Sequence, residues 1–130
     1  MRRAAGLVLA MVSGVLLTGC ATACPAIGWT NGVVIDASVH APDVFLQVCS
    51  EHGCSPAPGV APTPEIDPST PTGGDDGRFF FGFDAPEEIT VRVFDAGGIL
   101  LAESEETIDW THSTDRCGGP STAPPIVLEA

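Results

Sequence analysis

Residues 78–103 decide the fold: Arg78-Phe79-Phe80-Phe81-Gly82-Phe83-Asp84-Ala85-Pro86-Glu87-Glu88-Ile89-Thr90-Val91-Arg92-Val93-Phe94-Asp95-Ala96-Gly97-Gly98-Ile99-Leu100-Leu101-Ala102-Glu103. Ile89, Val91 and Val93 alternate with Thr90, Arg92 and Phe94. That period of two places one apolar row on a single face of a strand. Phe79, Phe81 and Phe83 are in phase in the same way. Asp84-Ala85-Pro86-Glu87 separates the two runs, and Asp95-Ala96-Gly97-Gly98 supplies the glycines a tight hairpin needs. The spacing predicts a three-strand meander over 78–103.

The same pattern extends outward. Strands are expected over 33–39, with Val33, Ile35, Ala37 and Val39 inward, and over 43–49, with Val44, Leu46 and Val48 inward. Further strands are expected over 107–112, around Ile108 and Trp110, and over 125–129. With the three of the meander this makes seven. Asn31-Gly32 and Ala41-Pro42-Asp43 are the turns that introduce the first two. After the leader, no stretch of ten residues carries helical periodicity. The expected fold class is therefore all-β, a two-sheet antiparallel sandwich of about seven strands. The strand count and the turn Val93-Phe94-Asp95-Ala96-Gly97-Gly98-Ile99-Leu100 resemble immunoglobulin-like or transthyretin-like modules, which implies that architecture.

The leader reads separately from the domain. Arg2 and Arg3 precede fourteen residues, Ala4 to Leu17, that are apolar apart from Gly6, Ser13 and Gly14. That is shorter than the ~20 residues of a bilayer span and suits a signal peptide. Leu17-Thr18-Gly19-Cys20 follows and resembles the bacterial lipobox. The resemblance implies a diacylglycerol on Cys20, cleavage before it, and a protein held by lipid at the outer face of the bacterial cell membrane or envelope. The organisation expected is a signal peptide over 1–19, a lipidated tether over 20–23, and a domain over 24–130 with a proline-rich loop over 55–77.

Charge narrows the partners. The chain has 5 Lys plus Arg, all arginine, against 17 Asp plus Glu, for a formal −12. Removing Arg2 and Arg3 leaves Arg78, Arg92 and Arg116 against all seventeen acids, a formal −14. Nucleic acid is an unsuitable partner for such a surface, because phosphate binding needs clustered cations. An anionic membrane would not attract it either, so attachment rests on acyl chains at ~0.8 kcal/mol per buried methylene. Only Ala21, Thr22 and Ala23 separate Cys20 from Cys24, a reach of about 14 Å.

Cys24, Cys49, Cys54 and Cys117 remain beside the lipid cysteine, an even set that an exported domain oxidises. Of three connectivities, Cys49–Cys54 around Ser50-Glu51-His52-Gly53 and Cys24–Cys117 across the domain are expected. The alternative is a metal set of Cys49, His52 and Cys54 completed by His40 or His112, although its spacing matches none of the common zinc motifs. Asp67, Asp75 and Asp76 in the proline-rich loop offer oxygens for calcium without the EF-hand spacing. No metal or cofactor is assigned from these.

Ser38 with His40, and His112 with Ser113 and Asp115, are the pairs nearest to a nucleophile with a base, and neither lies in a Gly-x-Ser-x-Gly elbow. Glu87, Glu88, Glu103, Glu105 and Glu106 read as a solvated acidic edge. Phe80 and Phe94 fall opposite the core-facing aromatics, where they face a partly covered outer layer or flank the long loop, the alternative being an exposed interaction patch, while Trp29 and Trp110 read as core. The proline-rich loop is either a partner-binding arm or a cover for a sheet edge. The function expected is a non-catalytic interaction or structural module of the cell envelope, with an envelope protein as partner. The alternatives are a metal- or small-ligand-binding lipoprotein and an inhibitor of a cationic envelope hydrolase.

Overall fold

The computed structural model describes residues 23–24, 28–61 and 67–130. The leader and Cys20 lie outside them. Among the described residues there are eight strands and no helix: β1 (Gly32–Asp36), β2 (Phe45–Ser50), β3 (Gly53–Cys54), β4 (Thr72–Gly73), β5 (Arg78–Phe80), β6 (Glu88–Phe94), β7 (Leu100–Thr107) and β8 (Ile126–Val127). They form two four-stranded sheets, ordered β4-β5-β1-β8 and β3-β2-β6-β7. One core joins them. Val33, Ile35, Phe79, Phe81 and Ile126 from the first layer meet Leu46, Val48, Ile89, Val91 and Val93 from the second. Burying such side chains stabilises the domain by roughly 1.5–3 kcal/mol each.

The central strand is the simplest case. β6 pairs with β2 on one side and β7 on the other, and its burial alternates along its whole length. Ile89, Val91 and Val93 are inward, as their spacing requires.

Five sequence expectations are corrected. The predicted meander is split: β6 and β7 are a hairpin, but β5 belongs to the other sheet, so Asp84–Glu87 crosses between layers. The sandwich is not wholly antiparallel, because β8 runs parallel to β1 through Ile35↔Ile126 and Asp36↔Val127. The first strand stops at Asp36, whose Oδ1 accepts from the Ser38 amide at 2.8 Å and turns the chain outward, leaving Val39 exposed. The last strand of the meander, expected to end at Glu103, extends through the acids to Thr107, and residues 108–112, expected to be a strand, contribute only one bridge, Thr111↔Thr122.

The fifth concerns Phe83, which is 62% exposed rather than in the core. Gly82 adopts φ 60°, breaking the alternation, and a Cβ there would strike the Pro68 carbonyl. Phe83 instead meets Trp29 edge-on, with ring centroids 5.5 Å apart.

The strand directions give the sandwich two ends. Ser50, Asp84, Glu88 and Thr107 mark one, and the chain enters there, with Gly28 beside Phe83. The tip of the β6–β7 hairpin, with Phe45 and the turn over 37–43, marks the other. They are about 20 Å apart along β6. The two open sides differ as well. Ser55–Ala57, Val60 and Ala61, with Pro71–Gly73 and Asp75, line the β3–β4 side, and β4 itself pairs with β5. Among the described residues no helix is long and apolar enough to cross a membrane.

Candidate functional site

The cysteines are bonded as Cys24–Cys117 and Cys49–Cys54. The second pair closes the β2–β3 hairpin, where Cys49 faces Cys54 in register. Both thiols are consumed, so the set Cys49, His52 and Cys54 has no thiolate to offer a metal.

His52 keeps a different and denser company. The turn that carries it is fixed by two hydrogen bonds: its amide donates to Ser50 Oγ at 3.1 Å, and its carbonyl accepts from Thr70 Oγ1 at 3.0 Å. Nδ1 lies 3.0 Å from Asp67 Oδ2. Nε2 lies 3.4 Å from Asp84 Oδ2 and 3.7 Å from Glu51 Oε1. One imidazole is thus ringed by three carboxylates from three segments.

Two of the three segments are fixed in place, while the Glu51 side chain is exposed. Asp67 Oδ1 accepts the Ser69 amide at 2.8 Å, and this bond is the largest cause of a pKa below the ordinary 3.8, with His52 adding to it. Asp84 sits in the turn that Gly82 permits, and its carbonyl accepts from Asn31 Nδ2 at 2.8 Å. Asp84 Oδ2 is itself buried with no hydrogen-bond partner. The acidic loop is not assembled in the same way, because Asp76 Oδ1 accepts the Arg78 amide. Among the described residues, the convergent metal-ligand set is Glu51, His52 and Asp84.

A second feature is the side between β7 and β8. β7 is the longest strand and lies at the edge of its sheet. Ser104 and Glu106 point toward the interior and are hydrogen-bonded to each other at 2.9 Å. With Glu103, Glu105, Val127 and Glu129 they line a cleft of about 520 Å³. His40 also lines it, and its buried Nε2 has no partner among the described residues. Four glutamates thus share one groove, and among the described residues only Glu103 is neutralised, by Arg92 Nε at 2.6 Å. At the hairpin end, Ile99, Leu100 and Leu101 are at least half exposed, beside Phe45 and Phe94, which pair in register.

The remaining candidates disperse. Ser38 and His40 lie on the turn after β1, not on a strand. His112 Nδ1 meets Ser121 Oγ at 2.9 Å, while Ser113 and Asp115 accept backbone amides at 3.1 and 3.0 Å. Trp110 is half-buried: it touches Phe81 edge-on and donates to the Pro86 carbonyl at 2.8 Å. Phe80 and Phe94 are half-buried, as expected of a partly covered outer layer.

Sequence reasoning singled out His52 but missed Glu51 and Asp84 as its partners. No local spacing could show that Asp84, 32 residues away, would arrive beside it. Comparison with known protein families, curated proteins and solved structures finds no match to this chain.

Proposed function

We propose that this chain is a lipid-anchored module of the bacterial cell envelope that acts without catalysis and binds another envelope protein. The open β7–β8 side carries the reading. A long edge strand offers unpaired backbone groups to an incoming strand. The acidic groove beside it favours lysine and arginine on that strand, and Ile99, Leu100 and Leu101 offer apolar contact at its end. A second copy of the same edge is a poor occupant, since Glu103, Glu105 and Glu106 would meet their like. The occupant is an extended cationic segment. A basic envelope hydrolase is the second reading, favoured by the same groove.

The lipobox-like Leu17-Thr18-Gly19-Cys20 supports the anchor, and the Cys24–Cys117 bond supports a domain that begins close to it. The chain enters at the His52 end, so the hairpin tip would face away from the membrane. The two four-stranded layers support an immunoglobulin-like reading of the sandwich.

Two measurements on the full chain test this. Expressed in bacteria with an alkyne fatty acid, the wild type incorporates the label and sediments with membranes. Cys20→Ser does neither; a labelled Cys20→Ser protein would refute the anchor. In detergent, an extended Lys/Val-alternating peptide shifts the amide resonances of β7. Glu105→Gln/Glu106→Gln/Glu129→Gln weakens it at least tenfold at 150 mM salt. Binding that spreads over the whole surface and vanishes at 500 mM salt would reduce the groove to nonspecific charge.

A further inference from the structure

The geometry around His52 points to a metal: we propose that Glu51, His52 and Asp84 form a three-ligand zinc site, with Asp67 orienting the imidazole. The proposal is independent of the β7–β8 groove and lies at the other end of the sandwich from the hairpin tip.

The tautomer comes first. Asp67 Oδ2 lies 3.0 Å from Nδ1 and, as a carboxylate, can only accept. In the neutral ring the proton is therefore on Nδ1, and the lone pair of Nε2 is free. This carboxylate–histidine pairing is the usual support of a metal-bound imidazole, since it fixes the ring and raises its basicity.

That lone pair then faces two anionic oxygens, Asp84 Oδ2 at 3.4 Å and Glu51 Oε1 at 3.7 Å. Three electron-rich atoms converging in this way repel one another unless a proton on Nε2 or a cation lies between them. All three lie within 4.8 Å of one another. Tetrahedral zinc holds nitrogen and oxygen ligands at about 2.0–2.1 Å, which sets neighbouring ligand atoms about 3.3–3.4 Å apart. The His52–Asp84 separation matches that edge, and Glu51, on an exposed flexible side chain, closes from slightly further out.

Asp84 adds to this. Its Oδ2 is shielded from water and makes no hydrogen bond, although the side chain is 27% exposed and the oxygen lies 3.4 Å from His52 Nε2. Its backbone is fixed by Asn31 and its turn by Gly82, which places the side chain beside His52. An imidazole ligand beside carboxylates selects a borderline transition ion over calcium or magnesium. Three protein ligands leave the fourth position to water or to a group from a partner. Bound there, zinc would tie the β2–β3 hairpin of one sheet to the loop after β5 of the other.

The test titrates the full-length, oxidised chain in detergent with zinc alone. One ion per chain is expected, with a higher Tm. His52→Gln and Asp84→Asn should each weaken binding at least tenfold, and Asp67→Asn should weaken it less. His40→Gln, His112→Gln and Asp75→Asn/Asp76→Asn should leave it unchanged, and a hundredfold excess of calcium should not compete. Circular dichroism of the metal-free variants separates a lost site from a lost fold. Undiminished zinc binding in folded His52→Gln overturns the proposal. So does an absence of zinc uptake with both His52 nitrogens protonated in ¹⁵N spectra, which would make the cluster an imidazolium held by carboxylates.

Discussion

Replacing Cys24 and Cys117 by serine is expected to lower the stability of the domain by about 4–5 kcal/mol, whereas replacing Cys49 and Cys54 should cost about 2. The two bonds differ in the chain they close. Cys24 and Cys117 are 93 residues apart, and Cys49 and Cys54 only five. In the chain-entropy account the benefit grows with the logarithm of the closed loop, since a longer loop loses more freedom in the unfolded state. Urea unfolding of the full chain in detergent reads the difference directly. With an m-value near 1–1.5 kcal/mol/M for a domain of this size, the long-loop variant should lose roughly 3–4 M of midpoint. Its m-value should also rise, because its unfolded state is more expanded. Two variants with equal, small losses would sink the entropic account. The long bond also has a local role: Gly118, next to Cys117, lies so close to the Trp29 ring that a Cβ there would sit 2.7 Å from it. Loss of the bond should therefore loosen the Trp29–Phe83 contact.

How much of this was legible in the sequence depended on how local the cause was. β6 is a central strand with one face in the core, so Ile89, Val91 and Val93 announced themselves by period alone. β7 carries the same period, but at an edge. Its inward positions include Ser104 and Glu106, and a pattern that looks for apolar residues stops at Glu103. The phase of Phe83 was lost to one glycine conformation that its composition only permits. The assignment of β5 and β6 to different sheets, and the parallel seating of β8 on β1, are set by packing between segments far apart in the chain. The candidate site divides likewise. The cysteine pairing was one of three that the sequence left open, favoured by the short ring between Cys49 and Cys54, and the fold forms it. The company of His52 did not, because Asp67 and Asp84 reach it through turns 15 and 32 residues further on.

Asn31 shows the same division and gives the other large effect. Its sequence context, Asn-Gly before a strand, reads as an ordinary turn. In the fold it is 3% exposed and holds three segments at once. Its Nδ2 donates to the carbonyls of Phe83 at 3.2 Å and Asp84 at 2.8 Å, and its Oδ1 accepts the Ser121 amide at 2.7 Å, 90 residues away. Asn31→Ala removes all three bonds and leaves the Ser121 N–H without its partner, a loss expected at about 2–4 kcal/mol. Asn31→Asp keeps the shape and should be worse near neutral pH, at about 4 kcal/mol or more. It turns a donor into a second acceptor against two carbonyl oxygens and adds a charge with little access to water. The two variants separate by pH. Burial and the facing carbonyls favour the protonated carboxyl, so its folded pKa lies above the unfolded value of about 3.9. A raised carboxyl pKa means stability is retained at pH below the unfolded value and lost as pH rises toward the folded one. The deficit of Asn31→Asp should therefore grow between pH 4 and pH 7, while that of Asn31→Ala changes little. A flat profile for both would mean that water reaches Asn31 and that the three segments are held together elsewhere. Because Asn31 also fixes the backbone of Asp84, either variant should weaken zinc binding at His52 along with the fold.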